Sequence, residues 1–457
     1  RYGGTLAPNT YFRVYGKYFD RGNEVLGNGN AVTDSWNMGQ GGFRVDDESN
    51  ANEKFTLQGD LYDSFLNLST GGQENFGGGN VLGRWSRTLS EDSDMSLQLY
   101  YDRTYLNDPM PAGSLGSAGT FIDTLDTYDL DFQHRFPLDG GNRLTWGLGY
   151  RFTHDVVQNT PSVAFSPSIL DHELFSGFLQ DEVTLAEKLS LTVGSKVERN
   201  DYTGFEYEPS ARLAWGLAER QTLWAAVSRA VRMPSRIDRD FLIPNSATPL
   251  LTGGSGFESE TVVAYELGYR AQLSAEFTAS LSTFFNNYDD LRSLSPTPGT
   301  VFPYTIANGL AGQTYGAELT ADYQIVEAWR LHAGYDLLQE NIWVKAGQTD
   351  ANNGLADTAD PQNQVFLRSS LDLPGNLEFD LPFRWVDSIF IANGTNVGTV
   401  PSYLEMDAHL GWQPVQNLEL SVVGQNLLQD HHPEYGFPGP AQEQIARSVY
   451  GKVTCQF

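Results

Sequence analysis

Alternation of apolar and polar residues with a period of two runs through most of this 457-residue sequence, and it restricts the possible folds more than any other feature. Between Leu377 and Trp385, five apolar residues alternate with Glu, Asp, Pro and Arg. Such a period places the apolar side chains on one face of a β-strand and the polar ones on the other. Similar alternation recurs in segments 54–61, 95–101, 144–150, 189–198, 263–269, 331–337, 404–412 and 418–422. The sequence therefore predicts an all-β protein with many strands.

The composition indicates what the two faces of these strands contact. The polar faces carry Arg, Asp, Glu and Gln so densely that a watery lumen suits them better than a dry core. The hydrophobic share is only 40%, while 9 Trp, 22 Tyr and 26 Phe argue against disorder. No apolar run approaches the roughly 18 residues that a membrane-spanning helix needs. We therefore expect the apolar faces to contact lipid.

The lengths of the connections favour a membrane barrel. Outer-membrane barrels have short periplasmic turns that alternate with long extracellular loops. Here short turns near 414, 374–375, 326–327, 272–273 and 218–219 alternate with long connections at about 429–444, 389–400, 343–360, 290–310 and 233–257. The pattern continues toward the N-terminus, with one exception near 201–205, where the connection is too short. We predict a transmembrane antiparallel β-barrel.

The strand count indicates a truncated barrel. About 20 strands follow from Tyr11 onward, and residues 1–6 form the end of a strand whose start is missing. Bacterial barrels have even strand numbers. A 22-stranded parent that lost its first strand and most of its second would leave this chain, so residues 1–457 are predicted to be one barrel domain.

Charge and motifs exclude several classes of function. With 29 Lys and Arg against 57 Asp and Glu, the net charge is −28, so nucleic acid is not expected as a partner. A single cysteine, Cys455, excludes an internal disulfide and a thiolate metal cluster. The sequence contains no Gly-x-Ser-x-Gly, P-loop or His-Glu-x-x-His motif. We predict that the protein is not an enzyme and needs no cofactor.

Several segments, taken in order along the strand pattern, resemble the TonB-dependent outer-membrane receptors. They are 1–4 with 11–18, 41–46, 208–215 with 223–235, 424–430 and 447–452. The resemblance implies a barrel in the Gram-negative outer membrane, among phospholipid and lipopolysaccharide. It also implies import of a scarce solute, most often a ferric siderophore or related iron complex, driven by the inner-membrane TonB complex.

The family's N-terminal plug and its TonB box, through which TonB acts, are absent from this chain. This departure leaves an alternative function open. A barrel made without a plug would be a passive wide-diameter pore.

Candidate ligand-binding residues lie in the predicted outer loops. Arg232, Arg236 and Arg239, close to Arg229, begin a long loop and suit an anionic ferric chelate. The competing interpretation is a rim in which these arginines pair with Asp238 and Asp240 or with lipopolysaccharide phosphate. The loop aromatics that could stack on a flat ligand are Phe241, Tyr304 and Tyr435.

Two features near the C-terminus complete the candidates. The final strand alternates apolar residues up to Phe457, and such an ending resembles the signal read by the barrel-assembly machinery of outer membranes. The pair His431 and His432 lies beside Asp430 and Glu434, which offers a set of metal-binding side chains. Adjacent side chains diverge in an extended backbone, so we predict no metal site.

Overall fold

The protein consists almost entirely of β-strands. The computed structural model describes residues 1–113, 116–138, 140–245, 248–355, 358–393 and 396–456. The strands up to the middle of the chain are β1 (Tyr2–Ala7), β2 (Thr10–Arg21), β3 (Val25–Leu26), β4 (Trp36–Asn50), β5 (Glu53–Asn67), β6 (Gln73–Ser90), β7 (Ser93–Met110), β8 (Gly119–Leu138), β9 (Asn142–Gln158), β10 (Ala164–Phe165), β11 (Ile169–Ala186), β12 (Leu189–Asn200), β13 (Gly204–Ala218) and β14 (Gln221–Arg232).

A four-residue helix and further strands make up the rest of the chain. They are α1 (Arg236–Arg239), β15 (Phe241–Ile243), β16 (Leu251–Thr252), β17 (Glu260–Gln272), β18 (Phe277–Thr297), β19 (Val301–Val326), β20 (Trp329–Val344), β21 (Asn363–Leu373), β22 (Leu377–Val386), β23 (Ile389–Asn393), β24 (Asn396–Val400), β25 (Tyr403–Met406), β26 (Ala408–Val415), β27 (Leu418–Gln425), β28 (His431–His432), β29 (Glu443–Ala446) and β30 (Ser448–Cys455). Among the described residues, no helix has the length and apolarity that a membrane span requires.

The long strands form one antiparallel sheet in which neighbours in sequence are neighbours in space. Pairing runs without interruption from β1 through β2 and β4 to β9, then through β11 to β14, β17 to β22, β26 and β27 to β30. Because β25 and β26 both pair with β22, they count as one bent strand of the wall. Within the part of the chain that the structure describes, the wall therefore has 21 strands, which are β1 and the 20 expected from Tyr11 onward. Pairing between β1 and β30 is absent from the described residues.

The two faces of the wall have the polarity of a membrane barrel. Leu57, Leu99 and Leu148 point outward, and each is about half exposed. Charged pairs line the inside, for example Arg151 with Asp129, whose Nε and Oδ2 atoms lie 2.9 Å apart. In a soluble protein such an outer surface would be unstable, whereas in a bilayer the apolar side chains contact lipid. This arrangement confirms the predicted fold class.

Short and long connections lie at opposite ends of the wall, with two departures. The turn at 201–203 is short on the long-loop side, as the sequence indicated. The prediction of a long loop at 290–310 is wrong, because β18 and β19 continue to pair up to a turn at 298–300. Bulges near Asp290 and Ser293 interrupt the period of two there, so the alternation that marks a strand is lost from the sequence.

Candidate ligand-binding site

The connection between β14 and β17 comprises residues 233–259, of which 233–245 and 248–259 are described; we call it the mouth loop. It lies over the turn at 201–203, which joins β12 to β13. Tyr202 donates a hydrogen bond to Asp240 (2.6 Å), and Ser259 donates one to Glu206 (2.6 Å). Burial, followed by the bond to Asp240, raises the pKa of Tyr202 above its usual range. The short turn that interrupts the alternation of short and long connections is therefore the surface on which the mouth loop packs.

The mouth loop is organised by α1 and its buried carboxylate. Asp238 is fully buried and accepts hydrogen bonds from Arg232 Nη1 (2.9 Å) and from the backbone nitrogen of Ser235 (2.8 Å). Ser235 also caps the helix in a reciprocal capping box with Asp238. Burial alone would raise the pKa of Asp238, but the bonds from Arg232 and Ser235 outweigh it and lower the pKa. The sequence Ser-x-x-Asp thus fixes where the loop turns.

Arg236 and Arg239 fasten the mouth loop to the wall. Arg236 donates to Asp155 on β9 (2.8 Å) and to the carbonyl of Pro167, and its side chain is only 10% exposed. Arg239 donates to the carbonyls of Ser255 (2.5 Å) and Tyr202 (3.1 Å). Both guanidinium groups therefore have acceptors within the protein, but these are Asp155 and backbone carbonyls. Of the two aspartates in the competing interpretation, Asp240 lies 3.6 Å from Arg236 Nε.

A small sheet at the outer end of the barrel holds two of the predicted aromatics. In it β15 pairs with β10 and β16, and β16 pairs in parallel with β19. Phe241 on β15 packs edge-on against Phe165, with ring centres 5.5 Å apart. Tyr304 on β19 packs in the same way against Phe302, at 5.3 Å. Both aromatics are partly exposed.

A recess of about 410 Å³ opens on the inner wall beneath the mouth loop. Arg232 and Arg292 are both on its lining, with side chains 44% and 52% exposed. Arg232 Nε donates to Glu260 (2.6 Å), and Arg292 Nη1 lies 3.7 Å from Asp238. The remaining lining residues are Tyr288, Leu291, Thr314, Glu340 and Ile342. Two half-exposed guanidinium groups at one recess can bind an anionic oxygen ligand.

Tyr435 lies in the last outer loop, apart from the arginines on the mouth loop. It is 52% exposed, and its hydroxyl donates to Glu443 (2.9 Å). Burial of the hydroxyl, together with that bond, raises the pKa of Tyr435 to about 12. The ring is accessible to a solute entering the barrel mouth. Phe457, the predicted assembly signal, lies outside the described residues.

The His431 and His432 pair forms only part of the donor set that its sequence suggested. His432 joins Glu434 and Glu405, and one ligand atom from each lies within 4.8 Å of the others. The guanidinium of Arg384 already lies among them, 2.6 Å from both carboxylates. Asp430 pairs with Arg447 instead (3.0 Å). A protein cation therefore occupies the position that a metal ion would need.

Sequence reasoning missed two residues of the mouth. Asp155 is an inward-facing residue of β9, and nothing in its local sequence distinguishes it from other lumen carboxylates. Arg292 follows the bulge on β18, so the period of two could not assign it to the lumen. Both are identified only by their partners on the mouth loop, Arg236 and Asp238.

Comparison with known proteins gives a consistent picture over most of the chain. Residues 3–427 match the family described as TonB dependent receptor-like, beta-barrel. The ferric enterobactin receptor of Pseudomonas aeruginosa strain PAO1 is 27% identical over 223 residues, 42% of this chain and 30% of that receptor. The iron-regulated outer membrane virulence protein of Vibrio cholerae is 24% identical over 211 residues, 43% of this chain and 32% of that protein. These matches span about a third of each relative's length.

A solved structure has the same fold. The siderophore receptor PirA from Acinetobacter baumannii superposes with a TM-score of 0.82 over 100% of this chain and 76% of its own. The two sequences are 15% identical in this alignment. At that identity the likeness concerns the fold, and the chemistry of the mouth has to be argued from the residues present.

Proposed function

Because the chain belongs to the β-barrel family of TonB-dependent receptors, we propose that residues 1–457 form the barrel of an importer for an anionic ferric siderophore. Proteins of this family are receptors and transporters of the Gram-negative outer membrane, not enzymes, and the barrel described above lies in that membrane. In the proposed mechanism, uptake is driven by TonB acting on a plug that fills the lumen.

The recess beneath the mouth loop is the observation on which the proposal rests. Arg232 uses Nε and Nη1 to bond Glu260 and Asp238, and its side chain remains 44% exposed toward the lumen. Arg292 is 52% exposed beside it. Hydrogen bonds to Glu260 and Asp238 fix the orientation of the Arg232 guanidinium, so little of its rotamer entropy is lost when a ligand binds. Anionic catecholate or carboxylate oxygens are suitable acceptors for such preoriented donors.

The other predicted residues take complementary roles in this proposal. Phe241, Tyr304 and Tyr435 offer partly exposed rings at the mouth, and a flat iron chelate can stack on them. Arg236 and Arg239 position the mouth loop, because their guanidinium groups bond Asp155 and backbone carbonyls. The relatives named for siderophores support this class of substrate, since their names include ferric enterobactin and PirA is described as a siderophore receptor.

The test is a titration of the purified protein in detergent with ferric enterobactin and with a ferric hydroxamate. We expect saturable binding of at least one chelate, and Arg232→Gln and Arg292→Gln should each weaken it by about tenfold or more, the value of one charge-assisted hydrogen bond. Arg330→Gln is the matched control, because Arg330 pairs with Asp372 (2.9 Å) near the short turns at the opposite end of the barrel.

Planar-bilayer recording separates this function from a passive pore. A permanently open large conductance, unaffected by either chelate, together with no saturable binding, would contradict the proposal and support the passive alternative. Equal affinity of wild type and both arginine variants would also contradict the assigned site.

A further inference from the structure

The outer face of strands β7 to β11 has a sharp boundary between aromatic and charged residues. Tyr101, Tyr128 and Phe152 form a girdle, with ring centres 5.0 Å and 6.2 Å apart in succession. Directly beyond it lies a row of outward charged residues in register, which consists of Arg103, Asp126, His154 and Asp171. Aromatic girdles mark the interface between hydrocarbon and headgroups. The charged row therefore lies among the headgroups.

The height of this row above the short turns agrees with that position. Ten residues separate Arg103 from Ser93 at the inner end of β7. At a rise of about 3.4 Å per residue and a tilt of about 40°, Arg103 lies about 25 Å from the turns. That is roughly the height of the apolar band of an outer-membrane barrel. Arg103 is thus at the outer edge of the bilayer, on the side of the long loops.

A groove of about 530 Å³ lies on the outside of the wall beside Arg103. Its floor is the backbone of Gly77 and Gly79 on β6, which lack side chains, and Val81 continues the floor toward the membrane. Leu61 on β5 forms one wall and is 72% exposed. A Cβ at position 79 would lie 2.3 Å from Leu61 Cδ2, so a side chain there would displace Leu61 from its position along the groove. The glycines therefore produce a channel in a surface that side chains otherwise fill.

The chemistry of the groove changes along its length. Its membrane end is apolar and continuous with the lipid-facing band through Leu61 and Val81. Its outer end contains Asp63, Arg103 and Tyr105. Arg103 bonds Asp126 through Nε (2.7 Å) and Nη2 (2.6 Å), which leaves Nη1 without a bond partner among the described residues. One end thus suits an acyl chain, and the other suits a headgroup with a phosphate and hydroxyl groups.

We propose that this groove is a binding site for lipopolysaccharide, with one acyl chain along Gly79 and Val81 and a sugar phosphate at Arg103. The groove opens at the outer leaflet, where lipopolysaccharide is the lipid with phosphorylated sugars. The Asp63 carboxylate can accept a hydrogen bond from a sugar hydroxyl, and the Tyr105 hydroxyl can donate or accept one. A simple phosphatidylethanolamine headgroup has no such hydroxyls. The site is outside the barrel and does not depend on which solute passes through it.

The test is native mass spectrometry of the purified protein in detergent. The probes are bisphosphorylated lipid A, dephosphorylated lipid A and phosphatidylethanolamine. We expect the wild type to retain one bisphosphorylated lipid A in preference to the other two lipids, and excess inorganic phosphate should not displace it. Arg103→Gln should weaken retention by about tenfold, since one charge-assisted hydrogen bond is lost.

A second variant distinguishes binding from a structural role. Asp126→Asn keeps the shape of the side chain but removes the charge that neutralises Arg103, so it should strengthen retention of lipid A. A purely structural role predicts that both variants lose stability and that neither gains affinity. Arg151→Gln is the matched control, because Arg151 pairs with Asp129 (2.9 Å) on the lumen side of the same strands.

Three results would overturn the proposal. The first is equal retention of bisphosphorylated and dephosphorylated lipid A by the wild type. The second is unchanged retention in Arg103→Gln with its folding intact, as judged by its shift on unheated gels. The third is a protein dimer that excludes added lipid, which would assign the groove to a second copy of the chain.

Discussion

Arg236 and Asp155 are 81 residues apart in sequence, yet Nη1 of the arginine lies 2.8 Å from Oδ2 of the aspartate. Their side chains are only 10% and 13% exposed. The mouth loop begins at the end of β14, and the pair joins it to β9. These two strands are four positions apart along the wall. The position of the loop over the lumen therefore depends on this contact.

Breaking the pair should release the mouth loop without unfolding the barrel. Arg236→Gln leaves Asp155 without its arginine partner, and loss of one partner of a buried pair costs about 3 kcal/mol. Hydrogen exchange measured by mass spectrometry should become faster in residues 233–259 and stay unchanged in β20 to β22. Arg330→Gln, which breaks an exposed pair worth at most about 1 kcal/mol, is the control. Unchanged exchange in 233–259 would contradict this role of Arg236.

Acid should release the same loop through Asp238. Its folded-state pKa lies below the ordinary value of 3.8, because the bonds from Arg232 and Ser235 outweigh burial. The stabilisation is therefore complete above the unfolded pKa and is lost as the pH falls through the folded pKa. A spin label at Ile237, which is 50% exposed, should stay immobile at pH 5 and become mobile only below about pH 4.

The label requires a Cys455→Ser background, because Cys455 is the only native cysteine. In this background Asp238→Asn should make the label mobile at neutral pH and remove the acid transition. A transition near pH 6 that survives this substitution would assign the release to a histidine instead.

Removal of Arg384 should create a zinc site that the wild type lacks. Arg384 donates to Glu405 and Glu434, and His432 Nε2 lies 3.1 Å from Glu434. Arg384→Gln removes the cation and leaves one imidazole and two carboxylates, a common zinc donor set. Calorimetric titration with Zn²⁺ should detect binding by the variant only, and Glu405→Gln added to Arg384→Gln should abolish it. Equal zinc binding by the wild type would contradict the role given to Arg384.

Charged substitutions should distinguish the lipid face from the lumen face. Leu148 on β9 points outward and is 56% exposed, whereas Gln133 on β8 faces the lumen. Leu148→Arg should lower the free energy of unfolding in lipid vesicles by about 2–4 kcal/mol, the cost of arginine near the bilayer midplane. Gln133→Arg should change it by less than about 1 kcal/mol. Denaturant titrations followed by tryptophan fluorescence would measure both, and equal effects would contradict the assignment of faces.

The sequence was sufficient to predict the strands of the barrel wall outside residues 290–310. Alternation with a period of two predicted the strands around Leu189 and Leu377, and the structure has β12 and β22 there. Each strand's two faces are fixed by the pleat of its own backbone, so local sequence carries that information. The connection at 201–205 was correctly identified as too short for its side of the barrel.

The contacts of the mouth could not be predicted in the same way. Sequence placed the arginines 232, 236 and 239 at the start of an outer loop, and the structure supplied Asp155, Tyr202 and Glu260 as their partners. It also turned the expected loop at 290–310 into strands and brought Glu405 to His432. Outside residues 290–310, the sequence alone determined the strands of the wall, their order and their two faces, since these follow from each strand's own residues. Only the tertiary structure decided which charges meet, because bulges shift the register and the curvature of the wall brings distant loops together.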